Sequence, residues 1–220
     1  MNFLAHLHIA NHCRSDLAGN LLGDFVKGDP SKRYSQPLVD GIRLHRFVDS
    51  YTDSHVISKQ AKTLFRKETQ RFAPIALDIF WDHCLATNWS TYSNSSLKQF
   101  CKNSHSKISQ DSEAHWPENF LLVHQKMSQQ RWLESYESMD SISMVLERMS
   151  LRRPRLGVLK ECFDDLAANY DKLQCHFYEL YPDVLERSWQ HRQQQIEMLA
   201  KKNKNCYCIL LLHLTSKSSG

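Results

Sequence analysis

The sequence lacks a long hydrophobic run, a glycine-rich phosphate loop and an internal repeat. Crossing a bilayer takes about 20 consecutive apolar residues, and no stretch approaches that length, so we expect no membrane span. No segment alternates between apolar and polar residues in the way that a half-buried strand requires. These absences predict an all-α protein, a single-domain helical bundle.

The sequence also lacks the features of a secreted or nucleic-acid-binding protein. Its seven cysteines are an odd number without the spacing of a structural metal site, which argues against a disulfide framework. The N-terminus has no basic segment, and His6 and His8 interrupt its apolar residues, so it is unlike a signal peptide. We therefore expect a cytoplasmic protein. The net charge of +4 is a mild basic excess, which favours an acidic partner and no nucleic acid.

The most informative stretch that is present is GIRLHRFVDSYTDSH, residues 41–55. Residues four apart lie on the same face of a helix, so His45, Asp49 and Asp53 should form one polar column. Apolar residues between them would seat the same helix in a core. Imidazole nitrogens and carboxylate oxygens are ligands of zinc, manganese, iron and nickel. The column therefore predicts part of a metal site that borders a cleft.

Three other segments offer residues that could complete such a site. The candidates are His6 and His8 in FLAHLHIA, Asp24 in GNLLGDFVKG, and Asp82 with His83 in FWDHCLA. Asp24 should fall in the last turns of a helix that stops at Gly28, where a carboxylate opposes the helix dipole unless a cation is near. Asp82 lies on a very apolar helix, where an acid is costly to bury unless it is paired or metal-bound. Each residue alone could be an ordinary hydrogen-bonded group, but the set favours a site.

Two basic clusters could contact an anionic partner. The first lies on a predicted helix over residues 55–72 and contains Lys59, Lys62, Arg66 and Lys67. The second is the string LRRPRL with Arg152, Arg153 and Arg155. These arginines could form a solvated helix end, or they could bind phosphate, which the planar guanidinium group suits.

The C-terminal part divides into two long amphipathic helices and a tail of different composition. Pro182 is predicted to separate the two helices, because proline interrupts a helix interior. Residues 1–200 are predicted to form one helical domain. Residues 201–220, KKNKNCYCILLLHLTSKSSG, pass abruptly from a polar run to an apolar octet, and we expect them to be an atypical, disordered tail.

Five segments together resemble a known family. MNFLAHLHIA, GNLLGDFVKG, GIRLHRFVDSYTD, RFAPIALDIFWDH and RRPRL are similar, in order and separation, to the landmarks of the bacterial acyl carrier protein phosphodiesterases, also called acyl carrier protein hydrolases. The resemblance covers about residues 1–195. Members are similar to the HD phosphohydrolases, all-α enzymes that hold a divalent metal, typically manganese, between His and Asp residues. The resemblance therefore implies an HD-like helical hydrolase domain over residues 1–200. The implied reaction belongs to lipid metabolism and removes the 4'-phosphopantetheine arm from holo-acyl carrier protein.

The resemblance implies a role for each candidate residue. The metal ligands would be His45, Asp49, Asp82, His83 and Asp24. Asp24 could instead be the base, and His83 or His6 would be the acid that protonates the serine leaving group. The residues that attract the acidic carrier protein would be Lys62, Arg66, Arg152, Arg153 and Arg155.

Two other functions stay open from the sequence. An HD-like phosphohydrolase acting on a nucleotide or another small phosphoester would use the same metal site. A non-catalytic helical adaptor that binds an acidic carrier would need no buried acids and histidines, and it would show a large exposed apolar patch instead.

Overall fold

The protein is a bundle of helices. The computed structural model describes residues 1–110, 116–152 and 154–215, with side chains described as far as residue 201. The helices are α1 Phe3–His12, α2 Leu17–Leu22, α3 Gln36–Ser54, α4 Val56–Lys62, α5 Ala73–Thr87, α6 Trp89–Tyr92, α7 Leu97–Gln110, α8 Glu118–Gln129, α9 Trp132–Ser135, α10 Met139–Arg152, α11 Cys162–Ala168 and α12 Tyr170–Thr215. Short 3-10 helices lie at Pro30–Lys32, Gln70–Phe72 and Pro154–Glu161.

The described residues contain no strand, and the predicted all-α, single-domain class is confirmed. None of the described helices combines the length and hydropathy that a membrane crossing needs. The HD-like topology stays a prediction.

α1 and α5 form the centre of the core. α1 buries every residue from Leu4 to Ala10, and α5 buries every residue from Ile79 to Ala86. A helix that is buried on all sides is surrounded by other elements, and α2, α3, α10, α11 and α12 contact this pair. The polar side chains within these two buried stretches are therefore held inside the protein rather than on a solvent face.

α2 and α3 approach each other closely through two glycines. A Cβ on Gly19 would lie 2.6 Å from the Leu38 carbonyl oxygen, and a Cβ on Gly41 would lie 2.9 Å from Gly19 Cα. Asp16 caps α2 by accepting a hydrogen bond from Gly19 N at 2.6 Å. The glycine contact holds α2 against the N-terminal third of α3, and Gly23, just after α2, then lies against His45 of α3.

Two predicted helices end earlier than the sequence pattern indicated. The helix of the GNLLGDFVKG segment ends at Leu22, so Asp24 follows the helix instead of lying in its last turns. The helix predicted over residues 55–72 ends at Lys62. Further along, Thr69 is buried and donates to Asp165, so contacts with α11 override the helical periodicity.

Pro182 does not separate two helices, which corrects another predicted boundary. It lies inside α12 on the exposed side, between the fully buried Tyr181 and the buried Val184. Packing of these neighbours offsets the cost of an internal proline, about 3 kcal/mol. The break falls instead at Asn169, whose side chain donates to Leu64 O at 3.1 Å.

The separate tail at residues 201–220 stays a prediction. The backbone of α12 extends to Thr215, and residues 216–220 lie outside the described residues.

Candidate metal centre

Three of the predicted site residues meet at one point between α1 and α3. His6 Nε2 lies 3.0 Å from Asp49 Oδ1, and His45 Nε2 lies 3.1 Å from Asp49 Oδ2. The two imidazole rings are stacked with their centroids 3.9 Å apart. One ligand atom from each residue lies within 4.8 Å of the others. The triad can therefore hold a divalent metal ion.

Asp24 brings a second carboxylate to this triad. Its Oδ1 lies 3.5 Å from His45 Nε2, and half of its side chain is exposed. The preceding residue, Gly23, lies against the His45 ring, so that a Cβ there would come within 2.1 Å of a ring carbon. Only glycine lets the backbone pass this close to the ring. Gly23 therefore allows Asp24 to reach His45.

Burial and the contacts among His6, His45, Asp24 and Asp49 determine the protonation states in the centre. Burial alone would lower the pKa of His45, but its hydrogen bonds to Asp24 and Asp49 and their negative charges raise it to about 9. Burial and the charge of His45 lower the pKa of His6 to about 4. Burial would raise the pKa of each carboxyl group, but the imidazoles hold the pKa of Asp49 and of Asp24 below their usual range. At neutral pH the metal-free centre thus has a protonated His45, a neutral His6 and two carboxylates.

This donor set fits a divalent cation. Imidazole nitrogens with carboxylate oxygens suit zinc, manganese or iron, whereas a set of thiolates would indicate structural zinc. The carboxylates are already ionised, and a metal ion would replace the proton on His45. His6, His45 and Asp49 are the residues that would hold the ion, with Asp24 within reach of the same space.

Asp82 lies elsewhere, although the resemblance made it a metal ligand. Its Oδ2 accepts a hydrogen bond from Leu4 N at 2.8 Å, and its Oδ1 accepts one from Ala5 N at 3.0 Å. These are N–H groups of the first turn of α1, which have no partner within the helix. Burial raises the pKa of Asp82 to about 7, although both hydrogen bonds act in the opposite direction. Asp82 therefore positions the helix that carries His6.

His83 and His8 are also bound to groups outside the centre. His83 Nδ1 lies 2.8 Å from the Tyr136 carbonyl oxygen, and its Nε2 lies 3.0 Å from the Tyr170 hydroxyl. His8 Nδ1 lies 2.8 Å from the Tyr181 hydroxyl. Both imidazoles are buried and serve as hydrogen-bonding groups of the core. The structure thus brings neither the predicted ligand His83 nor His8 to the metal centre.

Two of the three residues of the predicted polar column on α3, His45 and Asp49, lie in the metal centre. Asp53 lies one turn beyond Asp49, and 67% of its side chain is exposed. Its nearest cation is Lys62 Nζ, at 3.7 Å. The column therefore leaves the metal centre at Asp53 and continues onto the surface.

The two predicted basic clusters differ in whether their side chains form ion pairs within the protein. Lys62 pairs with Asp53, and Arg66 Nε donates to Asp165 Oδ1 at 2.7 Å. Arg152, at the end of α10, forms no ion pair within the described part of the chain. Arg155 is exposed. Arg153 lies outside the described residues.

A cleft of about 670 Å³ opens beside the metal centre. Asp24 and Asp78 line it on one side. One face of α10 lines it through Ser141, Met144, Val145, Arg148, Met149 and Arg152. The sequence reasoning did not select Arg148 or the apolar residues of this face. The signal that could have found them is their spacing, since residues three and four apart share one side of a helix.

Asp78, four residues before Asp82 on α5, was not among the predicted ligands, but it lines the cleft. Its Oδ1 accepts a hydrogen bond at 2.6 Å from the amino group of Met1, which also lies 3.8 Å from Asp49 Oδ1. Asp78 lies one turn before Asp82 on α5, so the exposed edge of α5 reaches the cleft while the buried part supports α1.

Comparison with known proteins agrees along most of the chain. Residues 1–184 match the family described as acyl carrier protein phosphodiesterase. The chain is 43% identical over 189 residues to the acyl carrier protein phosphodiesterase of Enterobacter sp. (strain 638), with 84% of this chain and 96% of that protein covered. It is 41% identical over 192 residues to the protein of the same name from Escherichia coli O6:K15:H31 (strain 536 / UPEC), with 86% and 97% covered. No solved structure matches the chain.

Proposed function

The chain belongs to the acyl carrier protein phosphodiesterase family, and from this membership we propose the reaction that it catalyses. The enzyme hydrolyses the phosphodiester that joins 4'-phosphopantetheine to a serine of holo-acyl carrier protein, and it releases the apo protein. The observation that carries the proposal is the triad of His6, His45 and Asp49, with Asp24 beside it at the edge of a cleft. A buried cluster of this kind is what a hydrolase needs and what a helical adaptor does not.

We propose that His6, His45 and Asp49 hold a manganese ion, the metal that the family resemblance implies and that the donor set accepts. When bound, such an ion activates a phosphoryl group toward attack and lowers the pKa of a bound water. The chain itself contributes the orientation of the ligands. Asp82 fixes α1 and thereby His6, and Gly23 leaves room for the His45 ring.

Asp24 is the residue best placed to accept a proton from an attacking water. It lines the cleft, and its contact with His45 lowers its pKa, so that it is ionised at neutral pH. His83, which the resemblance offered as the acid, is held by Tyr136 and Tyr170. We therefore propose Asp24 as the base and assign His83 no proton transfer.

The cysteines support the proposed cytoplasmic location. Cys13, Cys84, Cys101, Cys162 and Cys175 are free thiols. Free thiols are the expected state in a reducing compartment.

The test is to incubate the purified protein, first stripped of metal with a chelator, with holo-acyl carrier protein and added Mn²⁺, and to weigh the carrier by mass spectrometry. We expect loss of the whole phosphopantetheine group with metal and no change without it. Asp49→Asn should abolish the conversion. Asp53→Asn, one turn away and outside the centre, is the matched control and should retain it. A carrier that stays in the holo form with metal present would refute the proposal, and cleavage of free nucleotides instead would favour the small-phosphoester alternative.

A further inference from the structure

The cleft beside the metal centre has the character of a ligand site. Its volume of about 670 Å³ falls within the range of roughly 300–1,000 Å³ that is typical of pockets for drug-sized molecules. Asp24 belongs both to the cleft wall and to the metal centre. A molecule whose phosphate lay at the centre would therefore extend directly into the cleft.

The lining of the cleft matches an arm that is partly apolar and partly amide. Ile79 of α5 and Val145 and Met149 of α10 offer aliphatic surface. Asn2 and Gln130 offer side-chain amides in the same cleft. Pantetheine contains a dimethyl-substituted carbon, two amide groups and a terminal thiol, so it can bury apolar surface against these aliphatic residues and exchange hydrogen bonds with these amides.

The outer part of α10 carries free positive charge and exposed apolar surface. Arg148 and Arg152 line the cleft and form no ion pair among the residues that the structure describes. Met144, on the same face, is 48% exposed. By contrast, Lys62 and Arg66 are paired with acids of the protein itself. An acidic carrier would thus gain more binding energy from the α10 face. To bind Lys62 or Arg66 instead, it would have to replace the ion pairs that these residues already form.

We propose that the cleft between α5 and α10 is the binding site for the pantetheine arm of the carrier protein, and that Arg148 and Arg152 contact the acidic carrier at its mouth. This inference rests on the proposed function for the identity of the substrate. It adds the place where the arm lies and the helix that recognises it. Val145 would contact the arm, whereas the two arginines would contact the protein that carries it.

The experiment measures binding in the absence of metal, so that hydrolysis does not enter. The dissociation constants of metal-free protein for holo- and apo-acyl carrier protein are compared by calorimetry. The two carriers differ only in the arm, and we expect the holo form to bind about tenfold more tightly. Val145→Trp, which fills the cleft, should remove this difference. Val56→Trp is the matched control on α4, at a residue that is 58% exposed, and it should preserve the difference.

Two further variants complete the test. Met144→Trp narrows the cleft from a half-exposed position, and it should reduce the difference even if Val145→Trp fails to fold. Arg148→Glu combined with Arg152→Glu should weaken both carriers to a similar degree, about tenfold or more, while Arg187→Glu on α12 should not. Equal binding of holo and apo carrier by the wild type would overturn the assignment of the cleft. A preference for the holo carrier that survives both tryptophan variants would do the same. If the metal-loaded wild type fails to cleave a holo carrier that it binds preferentially, the proposed function fails and the binding site stands.

Discussion

α3 and α5 carry nearly the same residues and use them differently. Each buries apolar residues in the core and carries an acid and a histidine at adjacent or four-residue spacing, His45 and Asp49 on α3 and Asp82 and His83 on α5. On α3 the polar side chains meet other polar side chains and a cleft. On α5 they meet backbone groups and tyrosine hydroxyls. The difference lies in the groups that each helix packs against. The spacing of residues along one helix does not predict those groups.

The same difference appears in the electrostatics of the two acids. Asp49 is held ionised by two imidazoles, which keep its pKa well below the usual range although burial acts against this. Burial raises the pKa of Asp82 to about 7, because backbone N–H groups compensate less. Asp49 of α3 therefore belongs to a charged site, whereas Asp82 of α5 makes a structural contact. The experiments below test this division.

The first test is Gly23→Ala, which acts on the α3 centre without changing any ligand. The added Cβ would lie 2.1 Å from a His45 ring carbon, so the ring must move. Mutation of a residue that orients a metal ligand typically costs 10–100-fold in metal affinity, and we expect about 100-fold here, measured by Mn²⁺ titration. Gly157→Ala is the control, since a Cβ there meets no atom within 4 Å. Unchanged affinity in Gly23→Ala would place the metal away from His45.

The second test is the pH dependence of metal binding. His45 has a pKa of about 9 in the metal-free protein and must lose its proton to bind a metal. Affinity should therefore fall as the pH drops below 9, by up to about tenfold per pH unit. In Asp24→Asn one of the groups that raise this pKa is gone, so the fall should begin at a lower pH. Affinity that is flat between pH 7 and 9 would contradict the assignment of His45.

The same pKa predicts the sign of a stability change in the metal-free protein. The folded pKa of His45 lies above its ordinary value of 6.5, so the stabilisation is complete below pH 6.5 and is lost as the pH rises toward 9. Urea unfolding of wild type and His45→Gln at pH 6 and pH 9 measures it. The gap between the two proteins should be smaller at pH 9.

The third test concerns Asp82 and separates support from ligation. Asp82→Ala leaves the N–H groups of Leu4 and Ala5 buried without an acceptor, which should lower the free energy of unfolding by about 1–3 kcal/mol. Thermal unfolding of the metal-free protein measures this loss. A metal ligand would behave differently, since its removal would change the stability of the metal-loaded form far more than that of the metal-free form.

The sequence was sufficient for the fold class and for placing two members of the candidate triad together. Helical spacing placed His45 and Asp49 together because both lie on one helix. It could not predict the contacts of Asp82, because they are made with the first turn of α1. Leu4, which donates to Asp82, is 78 residues away in the sequence. Conversely, His6 was predicted as a possible acid and not as a metal ligand, although it is part of the triad.

The structure also corrected helix boundaries that were predicted from periodicity alone. The break at Asn169 and the continuous helix through Pro182 follow from contacts between helices, which override local propensity. Arg148 was not selected because only the cleft distinguishes it from other surface arginines. Long-range packing thus decided each point at which a local pattern gave the wrong boundary or the wrong neighbour.

The last test has the smallest expected effect on activity and bears directly on the two helices. If His83 were the catalytic acid, its replacement would cost about 100-fold or more in kcat. The structure holds its ring between the Tyr136 carbonyl and the Tyr170 hydroxyl, so His83→Gln should instead cost about 1 kcal/mol of stability and change kcat less than about threefold. Activity on holo-acyl carrier protein is measured at a temperature where both proteins are folded, with Thr87→Val, a residue that hydrogen bonds to the His83 carbonyl oxygen, as a control for local packing. A large loss of kcat in folded His83→Gln would return a catalytic role to α5 and end the division between the two helices.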